Sequence, residues 1–340
     1  MDRSALLTTK WKGALRALTL AAAILTLLVA PPPAIAQQTP KIPRIGYLFS
    51  FTPAEGQHLW EACRQGLRDL GYVEGRNVVL EPRWANGRHE RLPELVAELV
   101  RLKADVIVAA ATPANIAAKV GAGTIPIVMV AVADPVRVGL VSSLERPGGN
   151  VTGLSLLTPE LSGKRLQLIV ELLEKSPRVA ILSNPENPSH AVFAEETKNA
   201  AEQLRVQIQP LNARNPDEIE RAFKEASVKG ANALIVFDDP VIWSYRKHVV
   251  EQAQKARIPV MYGYSEFVDE GGLMSYGPYR PDLYRRTAAY VDKILKGARP
   301  AELPIERPTK FELFVNVRSA RALRLTIAPS LLLRADRVIE

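Results

Sequence analysis

The chain has 340 residues, of which 47% are hydrophobic and 24% are charged, as is ordinary for a soluble globular protein with two domains. The formal net charge is +8, but the basic residues are interspersed with acidic ones and form no long block. A nucleic-acid-binding surface would require clustered positive charge, so we exclude a nucleic-acid partner.

The first 36 residues have the pattern of a secretory leader. Lys10, Lys12 and Arg16 precede an apolar run over residues 17–30, and residues 34–36 form a small-x-small cleavage signal. The apolar run is short for a membrane span. We therefore expect residues 1–36 to be a cleaved signal peptide, and the alternative is an uncleaved N-terminal anchor.

Cys63 is the only cysteine, so an exported protein would have no internal disulfide. Its spacing to Leu59 and Leu67 places it on the apolar side of a helix, which predicts a small buried side chain and leaves a reactive thiol as the alternative.

From residue 43 onwards, short β-rich runs alternate with helical segments. Several of the runs are continuously apolar, as in a parallel sheet that helices cover on both faces. This alternation predicts a doubly wound α/β architecture with right-handed crossovers. The predicted strands are 45–50, 78–84, 106–110, 125–132, 151–154, 179–182, 206–211, 233–237 and 259–262.

Two of the intervening helices, one around residues 92–99 and one around residues 219–226, have clear amphipathic spacing. We predict that Asn215 caps the second of them and that Gly71 ends the helix around Cys63. The residues on their apolar faces are Leu92, Leu95, Val96 and Leu99, and Ile219, Ala222, Phe223 and Ala226.

Three stretches rich in glycine or proline interrupt the pattern, at residues 146–155, 270–281 and 300–308. Breaks with this spacing suit a chain that leaves one lobe, builds another and returns. We predict two parallel-sheet lobes joined by three crossing segments. Lobe 1 comprises residues 41–155 and 278–299, and lobe 2 comprises residues 156–277 and 300–340.

A series of longer motifs occurs in order along the chain. They are RIGYL at 44–48, LGYVEGRNV at 70–78, RLPELVAELV at 91–100, RPGGNVTGLS at 146–155, GGLMSYG at 271–277, YVDKILKGARP at 290–300, TKFELFVN at 309–316 and SLLLRADRVIE at the end. With these motifs the chain resembles the ABC-transporter substrate-binding proteins, a family that includes tryptophan- and tyrosine-binding members. The resemblance implies a type I periplasmic-binding-protein fold.

The same resemblance implies a function. It predicts a periplasmic protein that captures a small organic solute, such as an amino acid or an aromatic-amino-acid-like molecule, between two lobes. The protein would deliver this ligand to an ABC permease in the inner membrane, driven by a separate ATPase. We expect a monomer that needs no cofactor and is not an enzyme. The histidines are scattered, so no metal site is predicted.

Ligands of open α/β sheets lie beyond the carboxyl ends of the strands. Polar and aromatic residues that follow the predicted strands are therefore the candidate ligand-binding residues. They are Ser50, Phe51, Thr112, Pro113, Asp134, Asn184, Asp238, Tyr262, Tyr264 and Tyr276.

These residues predict a pocket that binds an anion at one end and a cation at the other, with an aromatic wall between them. Such a pocket suits a zwitterion. Thr112 begins a helix whose N–H groups would attract a carboxylate, and Asp238 would pair with an ammonium group. Simpler structural roles remain as alternatives. Thr112 would cap its own helix, Asp134 and Asn184 would sit in turns, and the aromatic residues would be ordinary packing.

Two rival functions are open at this point. Asp238 and Asp239 would act as an acid/base pair in an exported α/β enzyme, although neighbouring side chains on an extended segment point in opposite directions. A sugar-responsive regulator with the same two lobes would need a DNA-binding helix-turn-helix before the first lobe, where this chain has its leader.

Overall fold

The computed structural model describes residues 41–156, 159–173 and 177–340, and the leader predicted for residues 1–36 lies outside this part of the chain. The strands of the described chain form two separate sheets, one with five strands and one with seven. Among the described residues, no helix has both the length and the apolarity needed to cross a lipid bilayer.

Sheet 1 is wholly parallel and has the strand order β2-β1-β3-β4-β5. Because all the strands are parallel, their five carboxyl ends lie at one edge of the sheet. The strands are β1 (Arg44–Phe49), β2 (Val79–Trp84), β3 (Val106–Ala110), β4 (Ile127–Val132) and β5 (Val151–Ser155).

Helices cover both faces of sheet 1. Successive residues of its strands point to opposite sides of the sheet, and those on both sides are apolar and buried. In β3, Val106 and Val108 pack in one apolar cluster with α1 (Pro53–Asp69) and α10 (Arg280–Leu295). Ile107 and Ala109 belong to another cluster, with α2 (Leu92–Arg101) and α3 (Thr112–Gly121). Sheet 1 and these four helices form lobe 1.

Sheet 2 has the strand order β12-β11-β10-β9-β8-β6-β7, and all its neighbours are parallel except the antiparallel pair β10–β11. The strands are β6 (Arg178–Ser183), β7 (Gln207–Asn212), β8 (Ala233–Val236), β9 (Val260–Tyr262), β10 (Met274–Pro278), β11 (Phe311–Asn316) and β12 (Arg337–Ile339).

Sheet 2 is also covered on both faces, and together with its helices it forms lobe 2. Leu166 and Phe193 of two helices pack on one face, and Phe223 and Val250 of two others pack on the opposite face. The helices are α4 (Pro159–Val170), α5 (Ser189–Leu204), α6 (Pro216–Val228), α7 (Pro240–Ser244), α8 (Arg246–Ala256), α9 (Glu266–Asp269), α11 (Val317–Ala322) and α12 (Pro329–Leu332). Short 3-10 helices span His89–Arg91 and Pro300–Glu302.

The chain passes between the lobes three times, after β5, after β10 and before β11. The third passage begins later than residue 300, because Glu306 still pairs with Leu154 beside β5. The glycine-rich stretch at 270–281, which was interpreted as a break, contains strand β10. Strands β11 and β12 were not among the predicted strands either. The prediction of two doubly wound α/β lobes is confirmed.

The local helix predictions are also confirmed. The eight apolar-face residues of α2 and α6 are buried, and the Asn215 side chain accepts a hydrogen bond from the Glu218 N–H. Gly71 follows α1 with a φ of +86°. Cys63 is fully buried, and burial raises the pKa of its thiol to about 12, which makes it unreactive.

Gly153 in β5 is a position that only glycine fits. Its φ is +130°, and a Cβ there would lie 2.2 Å from the Met129 carbonyl oxygen of the neighbouring strand. We expect Gly153→Ala to lower the free energy of unfolding by roughly 2–5 kcal/mol in urea denaturation, from backbone strain and overpacking together. Gly149→Ala, whose added Cβ meets nothing within 4 Å, is the matched control and should leave stability nearly unchanged. Equal stability of the two variants would contradict this account of β5.

Candidate functional site

The carboxyl edges of the two sheets meet across a closed interface. The Ser189 hydroxyl donates a hydrogen bond of 2.6 Å to the Thr112 hydroxyl, and both side chains are buried. Thr112 is the first residue of α3 in lobe 1, and Ser189 is the first residue of α5 in lobe 2. The amino-terminal ends of these two helices therefore touch where their preceding strands end.

Further contacts join the lobes beside this pair. The Ser244 hydroxyl of lobe 2 donates to the Glu55 carboxylate of lobe 1 at 3.0 Å. The rings of Phe51 and Trp243 meet edge to face, with their centroids 5.1 Å apart. Phe51, predicted as part of an aromatic wall, is thus buried between the lobes against a tryptophan of the opposite lobe.

Arg280 forms a buried clasp at the second passage of the chain between the lobes. It begins helix α10 of lobe 1, yet its guanidinium lies over the rings of Trp243 and Tyr264 of lobe 2, at 4.5 and 4.2 Å. The same guanidinium forms a 3.0 Å ion pair with Glu266. Cation–π contacts and a desolvated ion pair both hold a cation in a fixed position, so Arg280 fixes the start of α10 against lobe 2.

Glu266 carries the charge that Arg280 needs. Burial opposes ionisation of this carboxyl, but the Arg280 cation and a hydrogen bond from His58 outweigh it and hold its pKa at about 2. His58 belongs to α1, and its Nε2 lies 3.1 Å from Glu266. Glu266 therefore interacts with two separate elements of lobe 1.

A second buried ion pair lies at the carboxyl edge of sheet 2. Arg165 of α4 donates to Asp238 at 2.9 Å and to the Tyr276 carbonyl at 2.7 Å. Gly263 and Gly277 leave room for the guanidinium, since a Cβ at Gly263 would lie 2.5 Å from Arg165 Nη2. The other carboxylate oxygen of Asp238, Oδ1, is buried and has no hydrogen-bond partner among the described residues.

Asp239 has a different role from its neighbour. Its carboxylate accepts hydrogen bonds from the N–H groups of Val241 and Ile242, and so caps α7. It also accepts from the side-chain amides of Asn184 and Asn187. Because these bonds occupy Asp239 while Asp238 pairs with Arg165, the two carboxylates do not converge on one point as an acid/base pair would.

His190 fixes the loop between β6 and α5. Its Nδ1 accepts a 2.8 Å hydrogen bond from the Asn184 N–H, so its Nε2 carries the proton and donates to the Asp238 carbonyl at 3.2 Å. Burial lowers the pKa of this histidine, which favours the neutral ring. Asn184 also accepts from the Glu186 N–H in an Asx turn, as the alternative interpretation of this residue expected.

Several polar and strained groups collect at the carboxyl edge of sheet 1. Ser50 follows β1 and Ser155 ends β5, and the hydroxyls of both are buried without a partner in the described chain. Ala111 and Ala131 have φ angles of +70° and +60°, which are unfavourable for residues with a Cβ. Backbone strain of this kind is concentrated at functional sites.

The amino terminus of α3 is the electropositive end of this edge. Ala111 occupies the N-cap position and no side chain caps the helix, while Thr112 is bonded to Ser189 instead of to its own helix. The uncapped N–H groups and the helix dipole favour an anion here. The hydroxyl of Ser50 lies at the end of the adjacent strand.

The remaining candidate residues are distributed differently. Pro113 lines a cavity of about 390 Å³ that residues of both lobes enclose. The ring of Tyr264 packs against the Arg280 guanidinium. Asp134 accepts from the N–H groups two and three residues further on, in a turn. Two other aromatic candidates pack within lobe 2: the ring of Tyr262 stacks on Phe267 and the ring of Tyr276 on Phe311.

The mouth of the interface is a cavity of about 470 Å³. Gly87 and Arg88 of lobe 1 line one side, and Asn184 and Arg214 of lobe 2 line the other. Histidine, cysteine and carboxylate side chains of the described chain form no group that could hold a metal ion.

Sequence reasoning missed Arg165, Trp243, Glu266 and Arg280. The arginines nevertheless left a signal. Arg165 shares an apolar helical stripe with Leu161 and Leu168, and Arg280 shares one with Leu283 and Tyr284. A charged residue in such a stripe is buried and must have a partner.

The clasp makes a pH-dependent prediction. Because the folded-state pKa of Glu266 lies below its ordinary value of 4.5, the ionised carboxyl stabilises the fold above pH 4.5, and this contribution is lost as the pH falls towards 2. We expect Glu266→Gln to cost roughly 2–4 kcal/mol in urea denaturation at pH 7, and the difference from wild type to shrink below pH 4.5. Glu302→Gln, at an exposed ion pair with Arg299, should change stability little at either pH. A Glu266→Gln cost that does not vary with pH would contradict the role of the charge.

Comparisons with known proteins agree with this architecture. A family model described as "ABC transporter substrate binding protein" matches residues 57–339. A "Tyrosine-binding protein" of Clostridioides difficile is 27% identical over 260 residues, which cover 76% of this chain and 74% of that protein.

Two solved structures resemble the chain closely. A conserved domain protein from Vibrio cholerae O1 biovar El Tor has a TM-score of 0.83 and 28% identity, over 88% of this chain and all of that one. An ABC domain from Streptococcus pneumoniae in complex with L-Trp has a TM-score of 0.82 and 26% identity, over 87% and 99% of the two chains. The expected two-lobed periplasmic-binding-protein fold is thereby confirmed, as is the expectation of a binding protein and not an enzyme. The chain belongs to the family of ABC transporter substrate-binding proteins.

Proposed function

We propose that this protein binds an amino acid with an aromatic side chain between its lobes. The observation that carries the proposal is the set of polar atoms buried without partners at the ends of β1, β5 and β8, namely Ser50 Oγ, Ser155 Oγ and Asp238 Oδ1. A buried polar group without a partner destabilises a protein by about 1–3 kcal/mol. A polar ligand that enters between the lobes would provide these partners.

The charges of the site match the two ends of an amino acid. The uncapped amino terminus of α3 and the Ser50 hydroxyl suit the α-carboxylate. On the opposite lobe, Asp238 Oδ1 is an acceptor for the α-ammonium group, while Arg165 holds the other oxygen of the same carboxylate. Phe51 and Trp243 supply aromatic surface between the lobes for the side chain.

The relatives support the choice of side chain. One relative is named a tyrosine-binding protein, and the similar streptococcal structure contains L-Trp. Both cover most of this chain, so a ligand of the same class is the best candidate for it.

Family membership supports the rest of the proposed function. We propose that the protein acts in the periplasm after removal of residues 1–36, and that its closed form docks on a permease whose separate ATPase drives import. Cells that lack this gene should lose uptake of the ligand, and the exported protein should begin at Gln37 by mass spectrometry. Unchanged uptake, or a chain that keeps its leader, would contradict this proposal.

Calorimetric titration of ligand-stripped protein tests the binding directly. We expect L-tryptophan or L-tyrosine to bind with micromolar or tighter affinity, and tryptamine and tyramine, which lack the carboxylate, to bind at least tenfold more weakly, on the order of one charge-assisted hydrogen bond. If none of the twenty amino acids produces heat of binding, the proposal is wrong.

The Ser50→Ala substitution tests the part of the site that would bind the α-carboxylate, with little effect on packing. Loss of one hydroxyl hydrogen bond should weaken binding about three- to tenfold. Ser330→Ala, at an exposed position in α12, is the matched control and should bind as wild type does. Equal affinities of the two variants would remove Ser50 from the site.

A further inference from the structure

A second cavity lies within lobe 2, apart from the interface. It has a volume of about 470 Å³ and is lined by residues of α8, α9 and α11 and of strands β9, β11 and β12, all of lobe 2. This volume is within the range of small-molecule sites in proteins. Much of its wall is apolar, formed by Val250, Ala253, Val260, Leu273, Leu323 and Ile339.

The wall of this cavity includes one polar group that the fold does not satisfy. The Tyr262 hydroxyl is buried and has no hydrogen-bond partner among the described residues. Stacking on Phe267 holds the ring, and a Cβ at Gly272, another lining residue, would come within 2.6 Å of ring atom Cε2. The ring of Tyr262 is therefore packed against Gly272 of the cavity wall, in a fixed orientation.

The rim of the cavity has positive charge. Arg257 and Arg318 line it with exposed side chains, and Arg318 Nη2 also donates a 3.2 Å hydrogen bond to the main-chain oxygen of Glu340. The acidic lining residue, Asp269, is already paired with Arg337 at 2.9 Å. Other polar lining groups are bonded within the protein, as when the Ser319 hydroxyl donates to the Gly271 carbonyl at 2.8 Å. Among the lining side chains, the two arginines thus outnumber the one carboxylate, which is paired with Arg337.

We propose that this cavity is a second ligand site, which takes a small organic anion with an apolar body. The apolar part would fill the space between α8 and α11, the acidic group would lie at the rim near the two arginines, and a polar atom of the ligand would pair with the Tyr262 hydroxyl. This site is independent of ligand binding between the lobes.

Fluorescence titration with 8-anilinonaphthalene-1-sulfonate, an apolar aromatic anion, tests the proposal. We expect saturable binding at one site in the wild-type protein. Ala322→Leu narrows the cavity from an exposed position and should weaken binding at least about tenfold. Ala97→Leu, at an exposed position in α2 of lobe 1, is the matched control and should bind as wild type does. No saturable binding, or equal binding by the two variants, would overturn the proposal.

Tyr262→Phe provides a second test that does not depend on filling the cavity. It keeps the ring and removes the unpartnered hydroxyl, so the thermal midpoint should stay the same or rise while probe affinity falls about three- to tenfold. Binding by Tyr262→Phe that equals wild type would overturn the role of the hydroxyl. Displacement of the probe by saturating L-tryptophan at one-to-one stoichiometry would place the probe between the lobes and would overturn the second site.

Discussion

The buried clasp of Arg280 is the interaction on which the closed arrangement of the lobes depends. Arg280 begins a helix that packs in lobe 1, but its charge is balanced by Glu266 and by two aromatic rings of lobe 2. Removing one partner of such a pair leaves a desolvated charge, which is far more costly than losing an exposed ion pair. The clasp therefore fixes the start of α10 against lobe 2. In this way it also fixes the position of the carboxyl edge of sheet 1 relative to that of sheet 2.

Closure brings together groups that neither lobe could satisfy alone. Thr112 and Ser189 bond to each other across the interface, whereas Ser50, Ser155 and Asp238 retain buried polar atoms without partners in the described chain. A ligand that supplies those partners would bind the closed form better than the open one. Its binding would therefore shift the equilibrium of the protein towards the closed form. Capture and closure are then one event, with the same contacts responsible for both.

The sequence predicted the architecture well because its evidence is local. Apolar runs, helix caps and the glycine at position 71 depend on neighbours along the chain, and these predictions are confirmed. The site was harder to predict because its partners are distant in sequence. Asp238 was assigned to a cation end without knowledge of Arg165, which is 73 residues away. Tyr262 is the last residue of β9, as expected, but its ring stacks on Phe267 within lobe 2. The end of a strand specifies where a residue lies but not which way its side chain points.

The central claim is that an amino acid lies between the carboxyl edges of the two sheets. A crystal structure of the protein grown with L-tyrosine or L-tryptophan tests it most directly. The account predicts density for the ligand between the lobes, with its carboxylate at the amino terminus of α3 and its ammonium group within hydrogen-bond distance of Asp238. Density for the ligand at another place, with none between the carboxyl edges of the two sheets, would contradict it.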